Sequence, residues 1–120
     1  METLEITWQT TPEHRDEVIG VLQESGVEVR ERRGFEPLTT IAVVAGVAAL
    51  VKALSTSFRD VKLHGVIIDA TRRPIEVREM PSWDRQQVLY LDATGPQFHE
   101  FSDEAELQKL LANLRWVATG

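Results

Sequence analysis

Polar and apolar residues alternate from Thr3 to Gln9, with Leu4, Ile6 and Trp8 on one side and Glu5, Thr7 and Gln9 on the other. A period of two predicts a half-buried strand. The period then changes. Val18, Ile19 and Leu22, with Val21 beside them, form the stripe of an amphipathic helix. Thr10 or Thr11 can cap it, Pro12 fits its first turn, Glu13 can complete a capping box with Thr10, and Gly26 can end it. From Val27 to Arg33 the alternation returns, with Val27 and Val29 inward and a polar end at Arg30, Glu31, Arg32 and Arg33 directed to a solvated edge. This strand–helix–strand unit predicts a parallel crossover, and Gly34 to Pro37 reads as a turn.

The next stretch is the least polar of the chain. No charged residue lies between Glu36 and Lys52. A helix over about 40–58 would be apolar all round, through Ile41, Val43, Val44, Val47, Leu50, Val51 and Leu54, and such a helix is buried in a core, in a partner or in lipid. Lys52 interrupts the run before the ~20 apolar residues that a membrane span needs. The expectation is a central core helix, with a partly exposed face for a partner or self-association, or a membrane surface, as alternatives. Gly46 costs ~1 kcal/mol against alanine inside a helix, which asks for a packing reason. Together with Ala48 and Ala49 it would let another backbone approach closely, so Gly46, Ala48 and Ala49 are partner-binding candidates.

Three strands are predicted next: Val61 to Ala70, an interior strand around Val66, Ile67 and Ile68; Ile75 to Glu79, alternating; and Val88 to Leu91, apolar on both faces. Their joints, Thr71 to Pro74 and Pro81 to Asp84, are turn-like, and such short connections predict an antiparallel meander. Gly95 and Pro96 break the chain. Ser102 then caps a last helix with Asp103, Glu104 and Glu106 in its first turn and a stripe of Leu107, Leu110, Leu111 and Leu114. The element order is β-α-β-α-β-β-β-α: one α+β domain over residues 1–120, a two-layer sandwich of helices on a mixed sheet. One short echo recurs. Asp69-Ala70-Thr71 and Asp92-Ala93-Thr94 each follow a strand, which fits paired turn chemistry or two strand-end carboxylates gathered for a metal.

Composition narrows the functional classes. At 120 residues, with 42% hydrophobic and 27% charged residues, the chain can bury one real core. It has no cysteine, so it has no disulfide framework and no thiolate zinc site, as expected in a reducing, cytoplasmic setting. Glu2 and Glu5 stand where a secretory leader would be basic. The net charge of -6 argues against nucleic-acid binding. It is spread unevenly: residues 1–36 hold four basic and nine acidic groups, residues 37–79 six and four, and residues 80–120 three and six.

The most concrete catalytic pattern is Asp69 followed by Glu76-Val77-Arg78. An acid before a hairpin and an acid-x-base on the next strand is the arrangement by which restriction-type nucleases hold Mg²⁺. Here Arg78 stands where a lysine would, and arginine does not readily give up a proton. Alternating charges on an exposed strand account for Glu76, Arg78 and Glu79 equally well. His14, His64 and His99 have no metal-ligand spacing, and no glycine-rich phosphate loop or nucleophile elbow is present, so no cofactor or metal is expected. Of the three tryptophans, Trp8 falls in core phase and Trp116 closes the last helix onto the sheet. Trp83, in a turn beside Pro81, is the candidate anchor for a partner.

Residues 2–79 resemble the effector-associated constant component domains of bacterial conflict systems. The resemblance runs through Leu4-Glu5-Ile6-Thr7 leading into a helix, then Val27-Glu28-Val29-Arg30 and the Val-Ala-Gly-Val-Ala-Ala-Leu segment at 44–50. It continues through Phe58-Arg59-Asp60-Val61-Lys62 to Arg73-Pro74-Ile75-Glu76-Val77. It implies a non-enzymatic adaptor that works with an effector protease or NTPase. An immunity-type protein, whose acidic surfaces at residues 1–36 and 100–106 would block a basic toxin, is the alternative, and a homo-oligomer is compatible with either.

Overall fold

A computed structural model describes residues 3–35, 38–83, 86–101 and 103–113. In chain order the elements are β1 (Leu4–Thr10), α1 (Arg15–Glu24), β2 (Glu28–Phe35), β3 (Leu38–Ala45), α2 (Val47–Asp60), β4 (Gly65–Asp69), β5 (Ile75–Glu79), β6 (Gln87–Asp92), β7 (Gly95–Glu100) and α3 (Glu104–Ala112). The α+β class and the mixed sheet are as the sequence predicts. Among the described residues the sheet has seven strands in the order β2-β3-β1-β5-β4-β6-β7.

The uncharged stretch is corrected. Its first half is a strand, and only Val47 onward is helical. Thr39, Thr40, Ile41, Val43 and Val44 are β-branched, which favours a pleated conformation over a helix. Ala48, Ala49, Leu50, Lys52, Ala53 and Leu54 are good helix formers. Gly46 sits between the halves in an extended conformation, φ -75° and ψ 163°, so it marks the joint and does not serve as a packing residue inside a helix. A continuous apolar run looks alike as a buried helix and as a buried strand.

Cross-strand register sets the two faces of the sheet. One row runs Ile41–Trp8–Val77–Ile68–Tyr90, and a second joins Val43, Ile6 and Ile75. These side chains are buried and form one core with Val18, Ile19 and Leu22 of α1, Leu50, Leu54 and Phe58 of α2, and Leu107 and Leu111 of α3. All three helices therefore lie on one face. Burying a side chain of this size contributes ~1.5–3 kcal/mol, which is why the strand phases are unambiguous at Ile6, Trp8, Ile75 and Val77.

Other expectations are also corrected. β1 and β2 run parallel, but β3 lies between them, antiparallel to both. β4, β5 and β6 are no meander, since β4 pairs antiparallel with β5 and parallel with β6. Gly95 and Pro96 do not end the sheet. They open β7, which returns along β6 through the two-residue turn Ala93–Thr94 with Gly95 at φ 113°. The helix α1 starts three residues later than expected and has no side-chain cap; the Thr10 hydroxyl donates to Glu79 instead. Asp103 caps α3, accepting from the Glu106 amide. Ser102, Leu114 and Trp116 lie outside the described residues.

Candidate functional site

With the helices on one side, the opposite face of the sheet is open, and its side chains follow the same register. Ile67 of β4, Leu89 of β6 and Phe98 of β7 stand in one row, and strands ~4.8 Å apart make this row ~10 Å wide. Phe98 is 53% exposed and is the one exposed large hydrophobic among the described residues. Trp83 adds to the strip from the turn after β5. Its ring lies on Gly65, where an added Cβ would sit 2.1 Å from Cε3, and its centroid is 5.7 Å from that of Phe98. The His64 ring nitrogen holds the Trp83 carbonyl at 2.9 Å. The half-buried anchor is therefore fixed in place, and residue 65 must be glycine for the ring to reach the strand.

Beside this strip the same face carries charge. Asp69 and Glu76 are direct cross-strand partners, so the two carboxylates and Arg78 do meet on one face. Arg72 spans them, 3.1 Å from Asp69 Oδ2 and 3.7 Å from Glu76 Oε2, and Arg78 lies 2.9 Å from Glu76 Oε1. Arg78 Nε also donates to Gln9 Oε1 at 2.8 Å. Burial would push the Asp69 carboxyl up, but the Thr71 hydroxyl and amide and the Arg72 guanidinium outweigh it and hold the carboxyl below the ordinary range. Asp92 repeats the bond to a backbone amide two residues on, from Thr94 at 2.8 Å against 3.0 Å for Thr71 to Asp69. The Asp-Ala-Thr echo is turn chemistry at both places. A cation between Asp69 and Glu76 would have to displace Arg72, and among the described residues no three metal-ligating side chains gather.

A second polar centre lies at the other side of the sheet. Glu79, on the inward phase of β5, is 2% exposed. Its Oε2 accepts from the Thr10 hydroxyl at 2.9 Å and the Thr11 amide at 2.8 Å, and its Oε1 lies 2.5 Å from His14 Nδ1. A carboxylate offers only acceptors, so Nδ1 is the donor of this bond. The arrangement orients an imidazole as in general-base catalysis. It also ties the segment before α1 to β5, which is its structural role here. No motif joins residue 14 to residue 79. The one signal in the sequence is the phase of Ile75, Val77 and Glu79, which puts an acid on an apolar face where it needs donors.

The remaining candidates are placed as follows. Ala48 is exposed in the first turn of α2, Ala49 is half-buried against the core, and Gly46 precedes the helix. The three do not form a shared surface with Trp83. A shallow cavity of about 310 Å³ opens on the far strands of the open face, with Glu5 and Arg30 among its walls. No described helix is long and apolar enough to cross a membrane. No protein-family model, curated protein or solved structure matches the chain.

Proposed function

We propose that this chain is a non-enzymatic, cytoplasmic protein-interaction module of a bacterial defence or effector system, with an effector protease, NTPase or toxin as its partner. The observation that carries this reading is the open sheet face, where Trp83, Ile67, Leu89 and the exposed Phe98 make an apolar strip. Contiguous exposed apolar surface on a small domain marks interaction sites, and buried aromatic anchors dominate binding energy. The likeness of residues 2–79 to effector-associated domains supports the class of partner. The test is affinity capture from the native host with three baits: wild type, Phe98→Asp and Ala48→Leu. A stoichiometric partner should accompany the wild type and Ala48→Leu and be lost with Phe98→Asp. Loss with Ala48→Leu alone would move the surface to α2, and no partner for any bait would end the adaptor reading.

A second reading, a small metal-dependent nuclease, is favoured by the direct cross-strand pairing of Asp69 and Glu76. It requires Mg²⁺ or Mn²⁺ to raise the melting temperature and to support cleavage of DNA or RNA. An unchanged melting temperature together with intact substrate would eliminate it.

A further inference from the structure

The register across the sheet arranges the open face in two neighbouring rows. One runs Ala42–Thr7–Glu76–Asp69–Leu91–Pro96, from β3 through β1, β5, β4 and β6 to β7. The other, two residues away on every strand, runs Thr40–Gln9–Arg78–Ile67–Leu89–Phe98. Strand by strand the rows match in kind. Each has a small residue on β3, a polar one on β1, a charge on β5 and an apolar residue on β6 and β7, and the β5 charges are of opposite sign. Only β4 mixes kinds, with Asp69 beside Ile67. The charges of the central band are paired within the molecule, because Arg72 and Arg78 hold Asp69 and Glu76. Two carboxylates and two guanidiniums leave that band neutral.

A half-turn about an axis in front of the face, running across the strands midway between the two rows, lays each row on the other. Glu76 then meets Arg78 of the second copy, and Arg78 meets its Glu76. Leu91 meets Leu89 and Pro96 meets Phe98, again in both directions. This reciprocity is what an isologous two-fold interface requires. A half-turn about an axis along β5 would instead set Glu76 on Glu76 and Arg78 on Arg78, so charge selects the first arrangement. Its one mismatch is Asp69 on Ile67, and there the carboxylate keeps its bonds to Thr71 and Arg72.

We infer that a second copy of this chain covers the open face, sheet on sheet, with the strands of the two copies antiparallel and acid set against base at β5. The inference rests on reading this face as an interaction surface and names what lies on it; an effector would then meet the pair. The area is sufficient. Six strands ~4.8 Å apart and about five residues long give a footprint of roughly 500 Å² on each copy. Two such faces bury about 1,000 Å², the size at which specific interfaces begin, and the Trp83 ring adds to it. Stacked sheets pack ~10 Å apart with their strands nearly aligned, which brings the exposed Phe98 ring onto Pro96 of the second copy.

The test is sedimentation equilibrium of the purified full chain over a concentration series reaching the millimolar range. A reversible dimer is expected, with nothing larger, because an isologous face closes at two copies. Phe98→Asp should weaken it about tenfold or more. Glu76→Arg and Arg78→Glu should each do the same, since the half-turn makes two contacts repulsive at once. An equimolar mixture of these two variants should recover the wild-type affinity as a mixed dimer, with the new arginine of one chain against the new glutamate of the other. Each chain in the mixture still carries its own like charges side by side, so the recovery can come only from across the interface. Melting curves check that the variants fold. If a charge-reversed chain does not, Phe98→Asp decides, since that side chain is exposed and lies outside the charged band. A monomer at millimolar concentration, a dimer indifferent to all three substitutions, or a mixture as weak as its components would overturn the inference. If the wild type stays monomeric but captures a partner that Phe98→Asp loses, the dimer alone falls and the face belongs to the effector. If the dimer forms and no bait captures a partner, the adaptor reading falls and the dimer stands.

Discussion

Replacing Glu79 by alanine should cost about 3–5 kcal/mol, the range for removing one member of a buried charged network. Three donors point at the carboxylate. The Thr10 hydroxyl is fully buried, the Thr11 amide is fixed in the chain, and the His14 side chain is 27% exposed. An orphaned buried donor costs ~1–3 kcal/mol. Thr10 and Thr11 should carry most of the loss, because His14 can turn to water. Near this chain length 1 kcal/mol moves the melting temperature by about 3–5 °C, so Glu79→Ala should melt about 10–20 °C lower. Glu79→Gln, which keeps the shape and one acceptor oxygen, should lose about half as much. Urea unfolding at neutral pH would measure both, and a change in midpoint at constant slope would show that stability alone has moved. Combining Thr10→Val with Glu79→Gln should give a loss smaller than the sum of the two, since they share one bond. A cost below about 1 kcal/mol for Glu79→Ala, or strict additivity in the pair, would refute the account of this centre as a joint that holds α1 onto β5.

Three further outcomes follow from other positions. Gly65→Ala puts a methyl group into the Trp83 ring, so the ring should leave the strand, with a loss of about 1–3 kcal/mol and red-shifted tryptophan emission; unchanged emission would contradict the stacked geometry. Lys62 has φ 61° just after α2, a conformation that costs a residue with a Cβ ~1–2 kcal/mol, so Lys62→Gly should raise the melting temperature by a few degrees. The Asp69 carboxyl is held below its ordinary range, so its ionised form favours the folded state. That contribution is in place above the unfolded value, about 3.9, and is lost as pH falls through the lower folded value. Asp69→Asn should therefore be less stable than wild type at neutral pH, by a difference that shrinks as pH falls through the folded value; a constant difference in urea midpoint would show that the ionised carboxylate, held by Thr71 and then by Arg72, is not its source.

The parts of the fold legible in the sequence are those whose period is enforced by one buried face. Leu4 to Gln9, Ile75 to Glu79 and the Val18–Leu22 stripe are periodic because one side meets the core and the other meets water, and the structure keeps these periods, except that Glu79, expected among the charges of an exposed strand, is buried. The 38–60 segment defeats that logic for a physical reason. β3 lies between β1 and β2 in the sheet, and on its open face Thr40, Ala42 and Val44 are only partly exposed and need not be charged. Without charge the period disappears, and branching at Cβ is the remaining signal. Gly46 marks a change of conformation between strand and helix, not a close approach inside a helix.

The sites divide in the same way. Asp69, Glu76 and Arg78 could be grouped from sequence because a hairpin brings its own strands together, and turn residues declare hairpins. What the sequence does not convey is that Arg72, from the hairpin turn itself, reaches both carboxylates. Trp83 and Phe98 are fifteen residues apart and meet only because β6 pairs parallel with β4 and β7 folds back over β6. The break suggested by Gly95 and Pro96 hid that strand: proline is excluded from an interior strand, but on an edge strand it is excluded only where an N–H is needed. At position 96 the backbone nitrogen points away from β6, so proline is tolerated there and also closes one end of the edge to pairing.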